Sequence, residues 1–158
     1  MATDVTNALN NLTNYQTDSN DLNGQSDFGG PPLFALQSGR EDFRRYVSQR
    51  GAKLSRVLRV ALEADADAPC VTLDLPAHVL GWVAEYMQHH QDGEATRVEF
   101  PLRSKRMGDV CVDPWDACFM DRVCARDMAL AAHYLDMDGL LHLSCAKLAT
   151  RYWKKAFL

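Results

Sequence analysis

Basic residues are missing from the start of this chain: no Lys or Arg precedes Arg40. That absence argues against an Arg-rich organellar presequence, and the amino terminus also lacks the basic and apolar blocks of a secretory signal. No apolar run approaches the ~20 residues a membrane span requires. Cysteine is sparse, and Cys70, Cys111, Cys118, Cys124 and Cys145 are odd in number with no C-x-x-C among them. Such a set builds neither a disulfide framework nor a zinc ribbon, so reduced, mostly buried thiols in a cytoplasmic or nuclear protein are expected. The sequon Asn11-Leu12-Thr13 is then expected to stay unmodified. Positive charge is not in excess either: a net charge of −4 gives no electrostatic reason to bind nucleic acid or an anionic membrane. There is no Gly-rich phosphate loop, nucleophile elbow or thiol-hydrolase motif. Neither an enzyme nor a small-molecule substrate is expected.

What remains is a polar tail and one domain's worth of patterned chain. Residues 1–30 are rich in Asn, Thr, Asp, Ser and Gln. They have too little apolar surface to offset their ordering entropy, so a disordered tail is expected. Gly29-Gly30-Pro31-Pro32 closes it, and residues 31–158 are expected to form a single domain. Leu33 to Gln37 reads as a strand, Ser38-Gly39-Arg40-Glu41 as a turn, and Asp42 to Val47 as the second strand of a hairpin. Leu54, Val57, Leu58, Ala61 and Leu62 form a helical stripe after Gly51. An acidic loop spans Glu63 to Pro69, and Cys70-Val71-Thr72-Leu73 alternates as a third strand. Past Pro76, the residues Val79, Leu80, Val83, Tyr86 and Met87 line the inward face of a helix that ends in His89-His90-Gln91-Asp92-Gly93. Glu94 to Val112 reads as an irregular loop, with Arg103-Ser104-Lys105-Arg106 as a solvated run inside it.

The carboxy-terminal third carries the clearest periodicity. Met128, Ala131, Ala132 and Leu135 recur at helical spacing, with small residues that permit close packing. Asp136-Met137-Asp138-Gly139 breaks the period, and Gly139 stands where a left-handed residue would end the helix. A second short helix then follows on Leu141, Cys145, Leu148 and Tyr152. The adjacent His89-His90 invites a metal reading. Neighbouring helical residues point about 100° apart, however, so the pair is not expected to hold one ion. His142 and Cys145 share a face without a partner pair at zinc spacing, and no cofactor is expected.

The literal run Ala131-Ala132-His133-Tyr134-Leu135-Asp136, then Gly139-Leu140-Leu141, then Cys145-Ala146-Lys147-Leu148-Ala149 resembles the carboxy-terminal core of the S-phase-kinase-associated adaptor family. There the stretch runs Ala-Ala-Asn-Tyr-Leu-Asp, Gly-Leu-Leu, Cys-Lys and Val-Ala. Pro114-Trp115-Asp116 with Phe119, and His89-His90-Gln91-Asp92, resemble the family's Val-Trp-Asp with Phe and its His-His-Lys-Asp. The resemblance covers roughly residues 33–155, thinly between 44 and 70. It implies an α+β domain of BTB/POZ type, with a small three-stranded sheet capped by helices. It also implies a non-catalytic adaptor that links a cullin scaffold to an F-box protein in an SCF ubiquitin ligase. On this resemblance His133 and Tyr134 face the cullin, with His in place of the family's Asn. Leu140, Leu141, Cys145, Leu148, Tyr152 and Trp153 face the F-box partner. Full family members continue with two more helices beyond the one matching Leu140 to Lys155, so only part of that surface is expected here. The rival reading is a structural BTB-fold subunit of another assembly, kinetochore or elongin C-like, without a ligase role.

Overall fold

In the computed structural model, residues 33–65, 70–93 and 96–156 are described; the polar segment expected to form a tail lies outside them. Strand β1 (Leu33–Ser38) is the middle of a three-stranded sheet of order β2-β1-β3. It pairs antiparallel with β2 (Arg44–Ser48), from Leu33↔Ser48 to Gln37↔Arg44, as the expected hairpin requires. It pairs parallel with β3 (Cys70–Leu73), from Ala35↔Cys70 to Ser38↔Leu73. A parallel neighbour needs a crossover, and two helices supply it. The central strand is accordingly the most covered: Phe34, Ala35 and Leu36 are all buried. Ser38 fixes the hairpin turn, donating to the Leu75 carbonyl at 2.6 Å and accepting from the amides of Arg40 and Glu41.

The crossover begins with α1 (Gln49–Ala52), capped by the Ser48 hydroxyl on the Gly51 amide. Gly51 is required here by close approach, because a Cβ would stand 2.9 Å from the Met87 carbonyl oxygen. Helix α2 (Arg56–Ala64) follows, with Ser55 as its cap. The Ser55 hydroxyl accepts from Leu58 N and donates to the Leu135 carbonyl at 2.6 Å, fully buried. That anchor sets the rotation of α2: Leu58 and Leu62 turn inward, while Val57 is 43% exposed. The sequence stripe therefore placed Val57 on the wrong side, since periodicity alone cannot fix which edge of an apolar arc faces the core.

Helix α3 (Ala77–His90) buries Val79, Leu80, Val83, Tyr86 and Met87, the face its periodicity predicts. The segment after it is less irregular than expected. Val98 bridges to Cys111, and α4 (Met107–Val110) buries both its ends. A single turn is too short for a helical period to register in sequence. Helix α5 (Pro114–Arg122) starts with Asp113 capping the Trp115 amide and Pro114 in the first turn.

Helices α6 (Ala125–Tyr134) and α7 (Asp138–Ala156) pack along each other. Ala125, Ala131, Ala132 and Ala146 are buried beside Met128, Leu135, Leu140 and Leu143, small against large as close packing needs. The corner between them corrects two expectations. The left-handed residue is Asp136 (φ 51°), not Gly139. Around it Asp136 N bonds the His133 carbonyl and Met137 N the Ala132 carbonyl, which closes the helix end. Gly139 already lies in α7, where a Cβ would meet the Tyr86 hydroxyl at 2.8 Å; it is small for contact, not for torsion. The second helix is also not short, at 19 residues.

The thiols are not mostly buried. Cys118, Cys124 and Cys145 are exposed, Cys70 is half-buried and Cys111 alone is buried; all are free. Helical position decides this, since each exposed one lies on or at the cap of a helix whose other face is in the core. Burial, with the Asp116 and Asp113 carboxylates nearby, pushes the Cys111 thiol up to about 11. No helix among the described residues is long and apolar enough to cross a membrane.

Candidate functional site

Two outward faces carry the residues singled out in the sequence. On α6, Met128, Ala131 and Ala132 take the inner side, which leaves His133 and Tyr134 at the solvent-facing end of the helix. Tyr134 is 47% exposed, and its hydroxyl accepts a long hydrogen bond (3.4 Å) from the Asp74 amide at the end of β3. Leu130, one turn earlier, is also strongly exposed. Sequence reasoning passed over it, although a Leu outside the buried set of a helix is the available signal. Beside this face Arg56 pairs with Asp136 and Asp138, and His78 lies 4.0 Å from Asp127. The surface therefore mixes an apolar ridge with charges of both signs.

On α7 the structure separates residues that the sequence grouped together. Leu140 is fully buried with Leu143, so it packs the core and presents no surface. The correction follows from helix geometry: Leu140 lies about 100° from Leu141, on the side facing α6. Leu141 and Leu148 are half-buried against the core, while Cys145 and Tyr152 are exposed, so these four run as one outer stripe. The Trp153 side chain lies outside the described residues. Phe100, 63% exposed, stands with its ring 6.3 Å from that of His142 and adds an aromatic beside the stripe. Lys147 pairs with Asp121 at the far edge.

A third assembly joins the end of α3 to the start of α5. His89 Nε2 meets Asp113 Oδ2 at 2.8 Å, and one residue further in, His90 Nε2 meets Asp116 Oδ1 at 2.8 Å. Thr96 Oγ1 bonds the Tyr86 hydroxyl at 2.6 Å and approaches His90 at 3.4 Å. Trp115 stacks on His89 at 3.9 Å and on Phe119 at 4.8 Å. The His89 hydrogen bond, followed by that from the Trp115 amide, holds the Asp113 carboxyl below its ordinary range. Burial raises the Tyr86 phenol, which stays a neutral donor or acceptor. Although adjacent helical residues point about 100° apart, both rings reach the same acidic helix start and lie 4.7 Å apart. His142 and Cys145 join no such group among the described residues.

No protein-family model matches the chain. Curated proteins do. The chain is 30% identical over 120 residues to "Suppressor of kinetochore protein 1" of Schizosaccharomyces pombe, covering 72% of each. It is 31% identical over 108 residues to "S-phase kinase-associated protein 1 homolog" of Tetrahymena thermophila, covering 66% of this chain and 64% of that one. It is 28% identical over 85 residues to "SCF ubiquitin ligase complex protein SKP1b" of Dictyostelium discoideum, covering 54% and 52%. The chain thus spans somewhat under two thirds of the Tetrahymena protein and about half of the Dictyostelium one. An α+β domain with a small sheet, an apolar outer helix stripe and these relatives define its class. The chain belongs to the S-phase-kinase-associated adaptor family.

Proposed function

We propose that this protein is a non-catalytic adaptor on a BTB/POZ-type domain, joining a cullin scaffold to an F-box substrate receptor in an SCF-type ubiquitin ligase. The observation that carries the reading is the outer stripe of α7. Leu141, Cys145, Leu148 and Tyr152, two half-buried and two exposed, line the outer side of the last described helix, within a chain whose relatives include proteins named as SCF ligase subunits. An amphipathic helix laid against such a face buries anchors at helical spacing. In this reading Leu141, Cys145, Leu148, Tyr152 and Trp153 take the F-box partner, while Leu140 supports them from within the core. His133 and Tyr134, with Leu130 beside them, take the cullin. The two faces lie on successive helices, so both partners can be held by one rigid pair. We assign the domain to residues 31–158 and its place of action to cytoplasm or nucleus.

Calorimetry of the full chain with an F-box domain tests the receptor end. We expect saturable binding that Leu148→Asp abolishes and Trp153→Ala weakens. Absence of binding, or binding indifferent to both changes, removes the adaptor reading and favours the structural-subunit alternative. That second reading has one observation in its favour, the kinetochore in the printed name of the S. pombe relative.

A further inference from the structure

His89 and His90 close α3, and Asp113 and Asp116 stand at the start of α5; all four line one cavity of about 230 Å³. One ring nitrogen of each histidine and one carboxylate oxygen of Asp113 lie within 4.8 Å of one another. Asp116 adds an independent sign. Its side chain is 1% exposed, one oxygen is taken by His90, and Oδ2 has no hydrogen-bond partner among the described residues. A buried carboxylate oxygen without a donor is costly, and a cation seated beside it removes the cost.

Two imidazoles and one carboxylate make a donor set that suits zinc and its neighbours. Ligands at ~2.0–2.2 Å around a tetrahedral ion sit roughly 3.3 Å from one another. The cluster must therefore tighten modestly, and the groups with room to move are the outer two. The His89 side chain is 33% exposed and that of Asp113 is 40% exposed. Trp115, stacked flat on His89, restricts that ring to its plane and limits how far it strays. Two imidazole nitrogens in the set favour a transition ion over Mg²⁺ and Ca²⁺, which take oxygen ligands.

We propose that this cleft binds one divalent first-row transition ion of the zinc type, through His89, His90 and Asp113, with the buried Asp116 carboxylate adding negative charge behind His90. The ion ties the end of α3 to the start of α5. This site is independent of the adaptor reading, since it uses neither the α6 face nor the α7 stripe.

The test is a Zn²⁺ titration by calorimetry of the full chain, with thermal denaturation in parallel. Exposed thiols are blocked first with N-ethylmaleimide, because Cys118, Cys124 and Cys145 would take zinc on their own. We expect one Zn²⁺ per chain and a raised Tm. We expect affinity to fall by at least about tenfold in His89→Ala and in Asp113→Asn. His78→Ala, on a different part of α3, should leave it unchanged. Both cleft variants alter partly exposed groups, and Asn retains the capping role; circular dichroism in EDTA checks that each is folded. No binding in the thiol-blocked protein, or equal affinity in the parent and both cleft variants, overturns the site. Displacement of Zn²⁺ by millimolar Mg²⁺ overturns the assignment to a transition ion.

Discussion

At the scale of single residues, burial and close approach decide which substitutions matter. Leu135 is fully buried at the α6–α7 corner, so Leu135→Ala should cost ~2–5 kcal/mol in denaturant unfolding. A loss below ~1 kcal/mol would place that helix face outside the core. Gly139→Ala is a sharper probe. In an open helix the change gains up to ~1 kcal/mol; here the new methyl meets the Tyr86 hydroxyl, which Thr96 holds at 2.6 Å. Overpacking of this kind costs ~1–3 kcal/mol, so a more stable Gly139→Ala protein would contradict the packing described. The same position shows what sequence reveals about a corner. A break between two periods was readable at residues 136–139. Which residue turns left-handed was not, because Asp136 takes the strained torsion while Arg56 N bonds its carbonyl and the Arg56 side chain its carboxylate. That partner is 80 residues away in sequence.

At the scale of elements, long-range anchors explain both the successes and the failures of periodicity. The faces of α3 and α6 were legible because each buries a wide stripe of large and small apolar residues. The face of α2 was only half legible. Its rotation is set by the Ser55 hydroxyl on the Leu135 carbonyl, a contact that no local window contains. The α7 stripe of Leu141, Cys145, Leu148 and Tyr152 was legible as a period, whereas Leu140, which only the family resemblance put at the F-box face, lies on the buried side. The histidine–aspartate cleft was hidden for a similar reason, since α3 and α5 meet only in three dimensions. Ser55 offers the test at this scale. Ser55→Ala removes the cap of α2 and leaves a buried carbonyl without its donor. Loss of the cap costs ~0.5–2 kcal/mol, and the orphaned acceptor adds about 1–3 kcal/mol. A total destabilisation of roughly 2–4 kcal/mol is therefore expected in urea unfolding, against about 1 kcal/mol if Ser55 were only a cap. The smaller value would sever the described link between α2 and the α6–α7 corner.

At the scale of the whole molecule, one closely packed helix pair carries both proposed faces. The core reaches both helices, with Ala131 and Ala132 on α6 and Leu140, Leu143 and Ala146 on α7 all buried in one cluster. Side chains that face outward from such a pair can be changed without unfolding it. The Asp74 contact to the Tyr134 hydroxyl is long and exposed, so its loss should cost no more than ~1 kcal/mol. Tyr134→Ala therefore separates folding from binding at one proposed face; Leu148 is half-buried against the core, so Leu148→Asp does so at the other face in protein that circular dichroism shows to be folded. The most direct measurement is bridging: recovery of an F-box protein on immobilised cullin, with and without this chain. The account predicts recovery only when the chain is present. Tyr134→Ala should lose the chain and the F-box protein from the cullin together. Leu148→Asp should keep the chain on the cullin and lose the F-box protein alone. A folded protein that recovers no F-box protein on cullin, or whose recovery is unchanged by both substitutions, contradicts the adaptor role.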